Sequence, residues 1–104
     1  MVNNNHNYDG IINAMSDKYG VSSALIKATI QQESAWNPSA VRMEPKINDA
    51  SQGLMQVLLK TAQGILNNPS LTTSDLYWPN INIEAGTKYL AYQLKRYGGD
   101  IKKA

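Results

Sequence analysis

The sequence predicts a small, mostly α-helical domain of α+β type, with an irregular loop or short hairpin between its second and third helices. Three observations carry this expectation. Apolar residues recur at helical spacing in separate stretches. Residues 39–56 break that spacing with Pro45, Asn48, Asp49, Ser51 and Gly53, which read as loops and turns. The chain has 104 residues, 42% of them apolar and 17% charged, which suits one globular domain with a modest core.

Each element has its own signal. Tyr8, Ile11, Ile12, Met15 and Tyr19 form a helical stripe, and Gly20 follows as a helix stop. Ser22 or Ser23 is a good N-cap for a second helix reaching about Ser34, which Asn37-Pro38 is expected to end. A short third helix is expected from about Leu58 to Leu66. The run "NNPSLTTSD" is turn-rich, and Ser74 or Asp75 is a candidate cap for a single helical turn. Asn82 is expected to cap a long helix through Tyr97, with Ile83, Gly86, Leu90, Leu94 and Tyr97 on its inner face. Lys95 and Arg96 fall in its last turn, where cations meet the negative helix end. Asp100 then reads as the cap of a further helix, "DIKKA", too short to stand alone. The expectation is a fragment, or an element completed by another chain.

Composition narrows the functional classes. There is no cysteine, hence no disulfide and no thiol nucleophile. His6 is the single histidine, so no metal site built from His and Cys is expected. The net charge is +2 with scattered basic residues, a weak footprint for nucleic acid. The start "MVNNNHNYDG" does not read as a signal peptide, and no apolar run is long enough to span a membrane.

Glu33 stands out. At about 100° per residue it lies roughly 20° from Ile26 and roughly 60° from Ile30 on a helical wheel, within their apolar stripe. Partial burial and the negative helix end would both favour a protonated carboxyl, the form a general acid requires. The alternative is a solvated glutamate, or one paired with a basic group. In "SQGLMQV", Gly53 permits a tight turn or a close approach to a ligand, Met55 offers adaptable apolar surface, and Gln56 offers donors and acceptors suited to a sugar. A buried turn is the plainer reading. Gly86 inside a helix costs about 1 kcal/mol relative to alanine, which suggests close contact with another backbone. The tyrosines of the last helix, with Trp36 and Trp78, suit either a sugar groove or the core.

Taken in order, these segments resemble the catalytic domain of soluble lytic transglycosylases, a lysozyme-like family. Its Glu-Ser pair followed by Asn-Pro matches Glu33, Ser34, Asn37 and Pro38. Its Ser-x-Gly-Leu-Met-Gln signature matches Ser51, Gly53, Leu54, Met55 and Gln56, with Thr61-Ala62 following. Its Pro-x-x-Asn-Ile-x-x-Gly-x-x-Tyr-Leu run matches Pro79, Asn82, Ile83, Gly86, Tyr89 and Leu90, and Tyr97 to Asp100 continue the pattern. The family's Ala-Tyr-Asn motif has no counterpart up to Ala104. The resemblance therefore implies one lysozyme-like domain over residues 1–104 lacking its C-terminal helices. An apolar face left open there would favour self-association.

By the same resemblance, the chain would cleave the β-1,4 bond between N-acetylmuramic acid and N-acetylglucosamine in peptidoglycan. The product would be a 1,6-anhydro sugar, and no cofactor would be needed. Glu33 would be the catalytic acid and then base; Ser51, Met55, Gln56, Ser34 and Tyr89 would contact the glycan. Hydrolysing glycosidases normally need two carboxylates. Asp49 is the nearest second candidate here, with Glu44 and Asp75 poorer ones. The rival expectations are a lysozyme-type muramidase and a non-catalytic peptidoglycan-binding or structural fragment. The place of action would be the cell wall, in the periplasm or outside the cell.

Overall fold

The computed structural model describes residues 8–47 and 49–97. The expected Asp100 cap and the "DIKKA" turn lie outside the described residues.

Helix α1 spans Asp9–Tyr19 and ends on Gly20, whose positive φ of 70° lets its N–H bond back to the Ser16 carbonyl. Helix α2 spans Ser23–Ser34. Ser22 is its cap: Oγ accepts from the Leu25 N–H at 3.1 Å, which satisfies one of the open donors of the first turn. The end at Ser34 is as expected, but Asn37-Pro38 is not what stops the helix. Ala35 and Trp36 are both left-handed, with φ of 50° and 68°, and the chain has already turned before the proline. Trp36 holds this turn. It is buried, its indole N–H donates to Gln31 Oε1 at 2.9 Å, and its ring stacks on Tyr8.

Between α2 and α3 lies a three-stranded antiparallel sheet in the order β1-β2-β3. β1 is Val41–Glu44, β2 is Asp49–Gln52 and β3 is Val57–Leu58; a 3-10 turn, Pro45–Ile47, follows β1. In the β1–β2 register Arg42 faces Ser51 and Glu44 faces Asp49. Strand alternation puts Arg42 and Glu44 on one face, with Val41 and Met43 on the other. The expected short hairpin is therefore present.

Helix α3, Leu59–Ile65, matches the expected third helix. The single turn after it is a 3-10 helix, Thr73–Tyr77. Its cap is Thr72, not Ser74 or Asp75. Asp75 sits at the third position and accepts from the Thr72 N–H and Oγ1 at 2.9 and 3.2 Å, a reciprocal capping box. Helix α4, Pro79–Arg96, starts three residues before Asn82. Proline at the first helical position lacks an N–H that would be unsatisfied there anyway, so Pro79 outcompetes the asparagine as the start. Asn82 is buried inside the helix instead.

The core gathers side chains from nearly every element. Ile12 of α1, Ile26 and Ile30 of α2, Leu54 of the β2–β3 turn, Leu76 of the 3-10 turn and Ile83 of α4 are all fully buried. Burying each aliphatic side chain stabilises the fold by about 1.5–3 kcal/mol. Among the described residues no helix is long and apolar enough to cross a membrane.

Candidate active site

The turn Gly53–Gln56 joins β2 to β3 and is the pivot of the site. Gly53 has φ of 78° and no room for a Cβ, which would meet the Leu76 carbonyl oxygen and the Asn82 amide. Asn82 reaches from α4 into this turn. Its Oδ1 accepts from the Met55 N–H at 2.8 Å, and its Nδ2 donates to the Gln52 and Leu76 carbonyls at 2.7 and 2.8 Å. On the α2 side, the Ser34 hydroxyl donates to the Leu54 carbonyl at 2.7 Å. Two helices are thus bonded to one four-residue turn. Gly86 completes the seat, because a Cβ there would stand 2.7 Å from Met55 Cβ. The close approach expected at Gly86 is made by the Met55 side chain, not by another backbone.

A groove of about 650 Å³ opens over this turn. That lies within the range of clefts that hold small ligands. α2 contributes Glu33, with Leu25 and Thr29 further along; β1 contributes Arg42 and Glu44. Ser51, Met55 and Gln56 form its floor, and Gly86, Tyr89, Leu90 and Leu94 of α4 form the opposite wall. Of the six site residues expected from sequence, the groove brings together Glu33, Ser51, Met55, Gln56 and Tyr89. Ser34 does not line it; its hydroxyl is turned to the Leu54 carbonyl. The Gln56 amide nitrogen is also engaged internally, donating to the Ala40 and Gly53 carbonyls at 3.0 Å each. Neither bond uses its carbonyl oxygen, a group able to accept from a ligand.

Glu33 sits at the C-terminal end of α2 with its side chain about one-third exposed. It is neither buried away from charge nor free in solvent: Arg42 Nη2 stands 3.6 Å from its Oε1. Arg42 also donates from Nε to Glu44 Oε2 at 3.1 Å, and the Ser51 hydroxyl donates to the same oxygen at 3.2 Å. The second carboxylate of the groove is therefore Glu44. Asp49, the nearer candidate by sequence, accepts from the Ala50 N–H at 2.7 Å and does not line the groove. Sequence reasoning missed Arg42 as well. The signal was the R-x-E spacing, which places both side chains on one face of a strand.

A smaller cleft lies elsewhere, where Lys18 and Glu84 pair at 2.8 Å and the Tyr19 hydroxyl donates to Glu84 at 2.6 Å. The hydrogen bond from Lys18, then that from Tyr19, holds the Glu84 carboxyl below its ordinary value. Lys18 is raised in return, chiefly by the Glu84 bond, and burial followed by the Glu84 bond raises Tyr19.

A helix-ending glutamate above a turn gripped by two helices, beside a small sheet, places the chain among lysozyme-like domains. Residues 10–104 match the family model described as the transglycosylase SLT domain, and the chain belongs to that family. Among solved structures it is similar to the 70 kDa soluble lytic transglycosylase SLT70 from Escherichia coli, at 28% identity and a TM-score of 0.75 over 88% of this chain. It is also similar to lytic transglycosylase Slt from Pseudomonas aeruginosa, solved as an inactive glutamate-to-glutamine mutant, at 26% identity and a TM-score of 0.75 over 88% of this chain. The chain spans only 15% and 14% of the lengths of those two proteins. A glutamate-to-glutamine mutant of DslA shares the fold, with 15% identity and a TM-score of 0.72 over 93% of this chain and 71% of the other.

Proposed function

We propose that this chain is a peptidoglycan lytic transglycosylase domain acting on the cell wall, with Glu33 as its single acid–base group. The observation that carries this reading is the position of Glu33, on the groove wall beside the Gly-Leu-Met-Gln turn, in a chain of the transglycosylase SLT domain family. The inactive Slt variant, with glutamine in place of a glutamate, supports one essential glutamate.

In this mechanism the Glu33 carboxyl gives its proton to the glycosidic oxygen between the muramic acid and glucosamine units. The bond from that oxygen to the anomeric carbon breaks, and the substrate's own N-acetyl oxygen closes on the anomeric carbon. Glu33, now a carboxylate, takes the proton from the 6-hydroxyl. Oxygen 6 then displaces the N-acetyl oxygen, leaving a 1,6-anhydro end without consuming water. Met55 and Tyr89 offer the sugar apolar and aromatic surface, and the Gln56 carbonyl oxygen offers it an acceptor.

Glu33→Gln should lower release of soluble fragments from purified peptidoglycan by about 10²–10⁴-fold, the usual worth of a general acid–base group. Circular dichroism should be unchanged. Turnover by that variant at the wild-type rate would remove Glu33 from the mechanism. Glu44 on the same groove favours a second reading, a hydrolase with paired carboxylates. Product mass separates the two: an anhydro end is lighter by one water than the reducing end that hydrolysis leaves.

A further inference from the structure

We propose that Arg42 and Glu44 are positioning residues that poise Glu33 between its acid and base forms, an inference that rests on the acid–base role proposed above. One guanidinium serves two carboxylates. Its Nε hydrogen-bonds to Glu44 Oε2 at 3.1 Å, and Ser51 fixes the same oxygen from the neighbouring strand at 3.2 Å. Toward Glu33 the nearest guanidinium nitrogen stops at 3.6 Å, beyond a good N–H···O bond. Arg42 is thus tethered to Glu44 and only leans on Glu33.

That asymmetry suits a residue that must first release a proton and then accept one. A direct fork-to-fork pair with Arg42 would lock Glu33 in its ionised form and remove the acid. Without any cation, the carboxylate formed after the first step would stand beside the Glu44 charge without a counterion. With Glu33 protonated, Arg42 and Glu44 balance each other. With Glu33 ionised, two carboxylates share one guanidinium. Among the described residues the ionisable groups on the groove wall are these three and Tyr89 of α4; the α2 and turn neighbours Thr29, Gln32, Ser51, Met55 and Gln56 carry no charge. Sequence alternation explains why the trio forms. Arg42 and Glu44 are two apart on β1, and Ser51 is the cross-strand partner of Arg42.

The test is to follow the Glu33 side-chain carboxyl ¹³C signal through a pH titration of the whole chain, in wild type, Arg42→Gln, Glu44→Gln and the double variant. Removing the cation should move the Glu33 midpoint up. Removing Glu44 should move it down, because one negative neighbour is lost and Arg42 is released toward Glu33. The double variant should return toward wild type. Arg42→Lys, which keeps the charge, should stay nearer to wild type than Arg42→Gln; because Arg42 is 62% exposed, neither change should unfold the chain, and a thermal melt checks this. Midpoints that stay put, or that move in the same direction in both single variants, overturn the inference. Peptidoglycan turnover by Glu33→Gln tests the underlying reading separately: a dead variant with unmoved titrations sinks only the role of Arg42 and Glu44.

Discussion

Asn82 makes three hydrogen bonds from a single buried side chain, and its partners are all backbone groups of other elements. Asn82→Ala would strand the Met55 N–H and the Gln52 and Leu76 carbonyls. Each unsatisfied buried group costs about 1–3 kcal/mol, so a loss of about 3 kcal/mol or more is expected in urea denaturation. A loss below about 1 kcal/mol would mean that the turn re-satisfies itself without the amide. Sequence alone gave this residue a different task, because asparagine is among the best N-caps. Its true partners lie far along the chain, where no local pattern points to them. Gly53 and Gly86 were legible as places needing a close approach. What approaches, the Asn82 amide in one case and Met55 in the other, was not.

Among the elements, the helices were read from sequence because their buried residues repeat at a fixed period, as Ile26 and Ile30 do on α2. The sheet was legible only as a loop or short hairpin. β1 inverts the usual strand pattern: its apolar Val41 and Met43 are exposed, at 50% and 69%, while its charged Arg42 and Glu44 face the groove. A hydrophobicity rule aimed at a core therefore finds no strand, and with it misses the place of Arg42 and Glu44 in the site. The end of α2 near Ser34 was legible, but what ends it was not, for a related reason. Pro38 is a strong breaker by type, but the helix is ended by a left-handed pair held by Trp36 packing, which is a tertiary effect. Ala35 has no such packing; it is exposed, at φ 50° and ψ 41°. Glycine fits that conformation without a Cβ penalty, so Ala35→Gly should stabilise the protein by about 0.5–1 kcal/mol. A thermal melt should show a rise of a few degrees, and a fall would place the strain elsewhere.

At the scale of the whole molecule, the groove depends on α4 staying where it is, since α4 carries Asn82, Gly86 and Tyr89. α1 braces α4 through the Lys18–Glu84 and Tyr19–Glu84 bonds, away from the residues that line the groove. This brace is pH-dependent. Glu84 titrates below its ordinary value in the folded chain, so its contribution is complete above about 4.5 and is lost as the pH falls through the lower folded value. Lys18 and Tyr19 are raised, so their contributions are complete below 10.5 and 10.0 respectively and fade as the pH rises through the higher folded values. Glu84→Gln should therefore destabilise the chain at neutral pH by about 1 kcal/mol or less, since the pair is only partly buried. In a 100-residue domain 1 kcal/mol corresponds to a melting-temperature change of about 4–8 °C. The difference between wild type and variant should shrink as the pH drops below 4.5 and close once Glu84 is protonated in both folded and unfolded chains. A stability gap that persisted unchanged through the acid range would show that Glu84 braces α1 by packing, not by its charge.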